Sequence, residues 1–178
     1  MLAVAPSPQS GVETRPRLRP TGRLAALDLG TNNCRLLVAE PREDGFEVVD
    51  SFSRIVRLGE GLAASNRLSE AAMARTLSAL QVCRRIMDRN RVEISRCVAT
   101  EACRRAENGA EFIRRVRRAT GIELEILGQD AEARLAMLGC LPLIEPDAAH
   151  LLMVDIGGGS TEIMWLDRFE RAGRTPRL

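Results

Sequence analysis

Apolar and polar positions change period several times along the chain, and each change marks an element. Residues 24–30 form a short apolar run that ends on Asp28 and Gly30, the signature of a strand running into a turn. Thr31, Asn32 and Asn33 make the turn, and 34–39 return as a second apolar strand. Asp44-Gly45 is a hairpin signal, and 46–54 alternate as a third strand. A glycine-punctuated loop at 57–61 follows. Ser69 then suits an N-cap, and Met73, Leu77, Leu80 and Ile86 fall at helical spacing, which predicts a helix to Asn90. Residues 94–99 read as a strand, with 100–104 on the turn beyond its end. A helix over 107–120 would turn Phe112, Ile113, Val116 and Ala119 inward and stop at Gly121. After a strand at 122–127, Asp130 is expected to cap a helix carrying Glu132, Leu135 and Leu138. Pro142 and Pro146 break that helix before apolar strands at 151–155 and 162–166.

Three meandering strands followed by helix–strand–helix–strand–helix predict an α/β fold, a mixed sheet flanked by helices and resembling a ribonuclease H-like lobe. Right-handed crossovers bring the loops at the strand ends to one edge, where Asp28, Thr100, Glu132 and Asp155 all fall. Residues 1–22, rich in Pro, Ser and Arg and without period, read as a disordered leader. The lobe is expected over 23–150, a separate hairpin over 151–167 and a basic tail over 168–178.

Composition narrows the chemistry. All 26 basic residues are arginine, and His150 is the single histidine. A P-loop lysine, a Schiff-base lysine and a histidine-rich metal centre are therefore excluded within this sequence, and a Ser-His-Asp triad is disfavoured. Proton transfer falls to carboxylates. The five cysteines show no CxxC pairing and are odd in number, as expected of buried reduced thiols in a reducing compartment. No apolar run reaches membrane-spanning length and no secretory signal is evident, so a cytoplasmic location is expected. Net charge is +2, with arginine concentrated at the two ends as a solvated feature.

The densest chemistry lies at 155–162, Asp-Ile-Gly-Gly-Gly-Ser-Thr-Glu. Gly157, Gly158 and Gly159 let backbone N–H groups approach an anion and permit φ > 0, Ser160 and Thr161 add hydroxyl donors, and Asp155 and Glu162 flank the loop. The stretch has an echo. Residues 27–38 align without gaps on 154–165, matching Asp28 to Asp155 and Gly30 to Gly157. Two hairpins built alike suggest a duplicated fold whose loops face one phosphate chain.

Five segments together resemble the exopolyphosphatase / guanosine pentaphosphate phosphohydrolase (Ppx/GppA) family of the actin–hexokinase–Hsp70 (ASKHA) superfamily. They are Asp28-Leu-Gly-Thr-Asn-Asn-Cys-Arg-Leu36, Arg57-Leu-Gly-Glu-Gly61, Ala99-Thr-Glu-Ala-Cys-Arg104 with Asn108, Glu132-Ala-Arg-Leu135, and the glycine loop. The resemblance implies that Glu132 is the general base for an attacking water, with Asp155 and Glu162 as its catalytic companions. Asp28, Asp155 and Glu162 would hold Mg2+. Thr31, Asn32, Asn33, Arg35, Arg104 and the 157–161 loop would grip phosphates. The implied reaction is hydrolysis of a phosphoanhydride, releasing terminal phosphate from inorganic polyphosphate or the 5′-phosphate of pppGpp. The implied partners are polyphosphate or a guanosine penta- or tetraphosphate, the rest of a second lobe and a second copy in a homodimer, with no membrane and no specific nucleic acid. Two departures stand out: Thr31 and Asn33 lie where the family has serine, and Leu127-Gly-Gln-Asp-Ala131 replaces its Ser-Gly and second acid. Family members also continue well past the glycine loop, so the chain alone is expected to be weakly active or inactive. A non-catalytic polyphosphate- or alarmone-binding module and an ASKHA-type ATPase or sugar kinase are the alternatives.

Overall fold

The computed structural model describes residues 22–144 and 150–167. The expected leader and tail, together with Pro146, lie outside them apart from Gly22. A five-stranded sheet in the order β3-β2-β1-β4-β5 forms the body. Strands β1 (Leu24–Leu29), β2 (Asn33–Arg42) and β3 (Gly45–Ile55) make the antiparallel meander that the alternation predicts. Strands β4 (Ile94–Ala99) and β5 (Leu124–Ile126) continue it in parallel from β1. Between them run α1 (Leu62–Ser65), α2 (Glu70–Arg89), α3 (Glu101–Arg105) and α4 (Gly109–Thr120). Helix α5 (Gln129–Cys140) and a 3-10 turn (Leu141–Leu143) precede a second, two-stranded sheet of β6 (His150–Ile156) and β7 (Thr161–Asp167). The protein is thus a mixed α/β fold with a five-stranded mixed sheet flanked by helices.

Strand alternation builds the core. Ala25, Leu27 and Leu29 of β1 point inward, as do Cys34, Leu36 and Val38 of β2, while Ala26, Asp28 and Arg35 stay exposed. The buried face receives Leu80, Cys83 and Met87 from α2 and Phe112 and Val116 from α4. Each such large apolar side chain stabilises the fold by about 1.5–3 kcal/mol on burial. Asn108, just before α4, is buried and bonds both backbone groups of Leu68, which ties the α1–α2 loop to the α3–α4 corner.

Local codes account for most element ends. The Ser69 side chain accepts from Ala72 N and starts α2. Gly121 ends α4 with φ 69 and donates to Arg117 O. Other expectations need correction. Residues 101–105 form a helix instead of a plain turn, because Thr100 O accepts from both Cys103 N and Arg104 N. Ala119 faces solvent, since α4 begins at Gly109 and presents Phe112 and Val116 to the core. Asp130 lies within the first turn of α5 and Gly128 occupies the cap, so Asp130 does not cap the helix. Strand β5 pairs over only three residues, β2 and β3 extend further than expected around a register shift between Val38 and Ala39, and α1 was not anticipated.

Candidate active site

The loops at the strand ends converge on a cleft of about 370 Å3. Its wall includes Asp28, Gly30, Thr31, Asn32, Asn33 and Arg35 from the β1–β2 hairpin, and Asp155, Gly157, Gly158, Gly159, Ser160 and Glu162 from the β6–β7 hairpin. Glu132 joins from α5, and Thr100 and Glu101 from the end of β4. Most residues singled out from the sequence therefore meet in one place. Thr161 and Arg104 are not on the wall. Thr161 opens β7 opposite Ile156, and Arg104 sits behind Glu132. Glu101 was not singled out as a site residue; its signal was its place in the first turn after β4, three residues before Arg104.

The internal repeat is matched in backbone geometry. Gly30 N donates to Asn33 O at 2.9 Å, and Gly157 N donates to Ser160 O at 2.9 Å. These bonds occupy equivalent positions of the repeat, so both loops close on the same four-residue turn. The strand register is also shared: Asp28 lies opposite Arg35, and Asp155 lies opposite Glu162. Residues paired directly across antiparallel strands project to the same side. The first hairpin therefore presents an acid–base pair and the second an acid–acid pair.

The three glycines do not use the positive φ expected of them. None of Gly157, Gly158 and Gly159 has a positive φ. Close approach is what requires them. A Cβ on Gly158 would lie 3.0 Å from the Asn32 Cβ, and one on Gly159 would lie 2.9 Å from Thr31 Oγ1 and 3.2 Å from Glu101 Cγ. The two loops are in contact, each forming part of the other's wall. Helix α5 backs the second hairpin, where Met137 packs with Met164 of β7 beside Leu151 and Met153.

Charge in the cleft is partly unbalanced. Desolvation is the largest influence on Asp28 and raises its pKa; Arg35 opposes that shift and Asp155 adds to it. Glu162 Oε1 and Thr31 Oγ1 are buried without a hydrogen-bond partner among the described residues. Such orphaned oxygens beside a facing carboxylate fit a hard cation with oxygen ligands. No group of three or more His, Cys, Asp or Glu side chains among the described residues forms a metal cage. Any such ion would therefore draw on no more than two protein carboxylates, with other oxygens completing its shell. Arg104 makes three bonds behind the wall: Nη1 donates to Glu132 Oε2 at 2.9 Å and to Leu127 O at 2.6 Å, and Nη2 donates to Glu101 Oε2 at 2.6 Å.

Away from the cleft the four cysteines on core elements are buried and Cys140 is half-buried, all as free thiols. No helix among the described residues is long and apolar enough to cross a membrane.

Known proteins resemble this chain in sequence and fold. The sequence model of the Ppx/GppA phosphatase family matches residues 37–173. Exopolyphosphatase 2 of Mycobacterium tuberculosis is 35% identical over 151 residues, covering 80% of this chain and 47% of that protein. A bifunctional 3-dehydroquinate synthase/phosphatase of Fusobacterium nucleatum is 36% identical over 146 residues, covering 78% of this chain and 22% of that protein. The crystal structure of the Aquifex aeolicus member of the Ppx/GppA family superposes with a TM-score of 0.75 at 32% identity, covering 89% of this chain and 50% of that one. The chain spans about half the length of the exopolyphosphatase and of the Aquifex structure.

Proposed function

The chain belongs to the Ppx/GppA phosphatase family, and from that premise we propose that the cleft hydrolyses phosphoanhydrides, releasing terminal phosphate from inorganic polyphosphate or from the 5′ end of pppGpp. The observation that supports this most is the pair of matched loops, with Asp28 and Asp155 at equivalent positions, facing each other across one cleft beside Glu132. A phosphate chain needs donors on more than one side, and phosphoryl transfer is catalysed mainly by positioning and charge neutralisation.

Each group then has a part. Backbone N–H groups of the 31–33 and 158–160 loops, with the hydroxyls of Thr31 and Ser160, hold non-bridging phosphate oxygens; Thr161, off the wall, is left out of this set. Arg35, exposed on the wall, neutralises charge on the chain. Glu132, in the first turn of α5 where the helix dipole favours an ionised carboxylate, takes a proton from the attacking water. The water oxygen bonds to the terminal phosphorus, the bridging P–O bond breaks, and the shortened phosphate leaves with that electron pair. Asp155 and Glu162 would hold a divalent cation without Asp28, the third ligand expected from the sequence, since no three such side chains group together among the described residues; when bound it would offset the like charges facing each other across β6 and β7 and neutralise phosphate oxygens.

The test is phosphate release from polyphosphate, pppGpp and ATP with Mg2+, compared between the protein and its Glu132→Gln variant. Turnover of polyphosphate or pppGpp that drops at least about 100-fold in the variant is expected. Unchanged turnover would remove Glu132 from the mechanism. Tight polyphosphate binding without turnover would favour a binding module, and a preference for ATP would favour the kinase-like reading.

A further inference from the structure

Two arginines were expected to grip phosphate, and the structure separates them. Arg35 is exposed on the cleft wall, beside Asp28. Arg104 lies off the wall, and its guanidinium ties three elements together. It leaves the last turn of α3, reaches Glu101 one turn back on that helix, accepts nothing, and donates to the Leu127 carbonyl after β5 and to Glu132 on α5. Arg104 and both of its carboxylate partners are only about a fifth exposed. Burial lowers the pKa of Arg104, and its bonds to Glu132 and Glu101 more than offset that, so the group is held firmly charged.

We infer that Arg104 is a positioning residue that aims the Glu132 carboxylate at the attacking water, and that it does not contact phosphate. The inference rests on the proposed hydrolase reading. Three arguments carry it. Two carboxylates surround one guanidinium, so the cluster has no surplus positive charge to attract a polyanion. The three bonds use both ends of a planar fork, which fixes orientation as a point charge would not. Only Oε2 of Glu132 takes part in them, so one carboxylate oxygen is held and the other is left to receive a proton. The Glu132 carboxylate is bonded by Arg104, which ties its alignment to that arginine. A catalytic group displaced by about 1 Å can cost on the order of 100-fold in rate.

The experiment compares Arg104→Gln and Arg104→Lys with the parent protein, alone and in the Glu132→Gln background, using tripolyphosphate and pppGpp. Positioning predicts that Arg104→Gln lowers kcat about 100-fold with KM within about threefold. Arg104→Lys should recover part of the loss, and Arg104→Gln should slow the Glu132→Gln variant no further. A KM raised tenfold or more with kcat retained, or losses that multiply in the double variant, would overturn the inference and make Arg104 a phosphate ligand. Two readouts do not need turnover. Calorimetric affinity for tripolyphosphate should change by less than about threefold in Arg104→Gln. In the unaltered protein, 15N NMR should show slowly rotating, distinct Nη signals for Arg104 that coalesce when Glu132 becomes Ala. Freely rotating signals in the unaltered protein would show that the clamp does not form. Absence of all phosphoanhydride hydrolysis would instead refute the hydrolase reading while leaving these two readouts to judge the clamp.

Discussion

Replacing Asn108 by alanine should destabilise the fold more than any surface change, and the magnitude can be worked from two hydrogen bonds. Asn108 Oδ1 accepts from Leu68 N at 2.8 Å, and Nδ2 donates to Leu68 O at 3.0 Å. Both partners are buried, with Leu68 3% and Asn108 8% exposed. The side chain thus stands in for a strand neighbour and satisfies one residue's entire backbone. Alanine leaves a buried N–H and a buried C=O unpaired, each costing about 1–3 kcal/mol. A water entering the vacated space would recover part of this, so about 2–4 kcal/mol is expected. With a urea m-value of about 1–3 kcal/mol/M for a domain of this size, the midpoint should fall by roughly 1–2 M with m unchanged. Asn108→Asp sharpens the test, because its carboxylate can accept from Leu68 N but cannot donate to Leu68 O, so it should recover little. The measurement is urea unfolding followed by circular dichroism. A loss below about 0.5 kcal/mol for the alanine variant would refute the reasoning, since it would mean that solvent reaches Leu68 freely.

Three further outcomes follow from the same coordinates. Gly159→Ala places a Cβ 2.9 Å from Thr31 Oγ1 and 3.2 Å from Glu101 Cγ; the loops must part, so substrate turnover should fall tenfold or more while urea stability changes by less than about 1 kcal/mol. In the native protein a maleimide should label Cys140 alone within minutes, and all five cysteines after denaturation, as counted by mass spectrometry; the other four are buried, and burial pushes the Cys103 thiol up to about 12. Thr76→Val should cost at most about 1 kcal/mol in the same urea assay. The buried hydroxyl donates to Ala72 O, which also accepts the helical N–H of residue 76, so no acceptor is stranded.

Much of this was legible from residues that act locally. Ser69 and Gly121 announce the ends of their helices because their reasons lie within one turn, in a side-chain cap and a left-handed φ. The matched Asp-x-Gly turns could be seen as a repeat because the Asp and Gly recur at one spacing within twelve ungapped positions whose flanking apolar residues agree, and their shared backbone bond follows from that spacing. Tertiary effects were not legible in this way. Residues 101–105 are too few for a helical period, and backbone bonds to the Thr100 and Ala102 carbonyls make them a helix. Glu132 and Arg104 are 28 residues apart, so no local pattern could show that the arginine's fork is spent on a carboxylate. Nor could glycine runs reveal that Gly158 and Gly159 are small for the sake of another loop, because the clash they avoid is with Thr31 and Asn32.

The site therefore rests on two kinds of support with different weaknesses. The two cleft loops are closed by backbone bonds, Gly30 N to Asn33 O and Gly157 N to Ser160 O, which survive most side-chain substitutions. Their side chains can then diverge at constant geometry, and they have: Arg35 and Glu162 occupy the same repeat position with opposite charge. Glu132 has no such backbone device. Its carboxylate is bonded by a guanidinium that also binds Glu101 and the Leu127 carbonyl, so a change at any of these should reach the proposed proton acceptor while leaving the loops intact. Substitutions in the loops should therefore alter affinity and charge preference, and substitutions around Arg104 should alter rate. The reverse pattern would mean that the loops aim the base and the clamp binds the substrate.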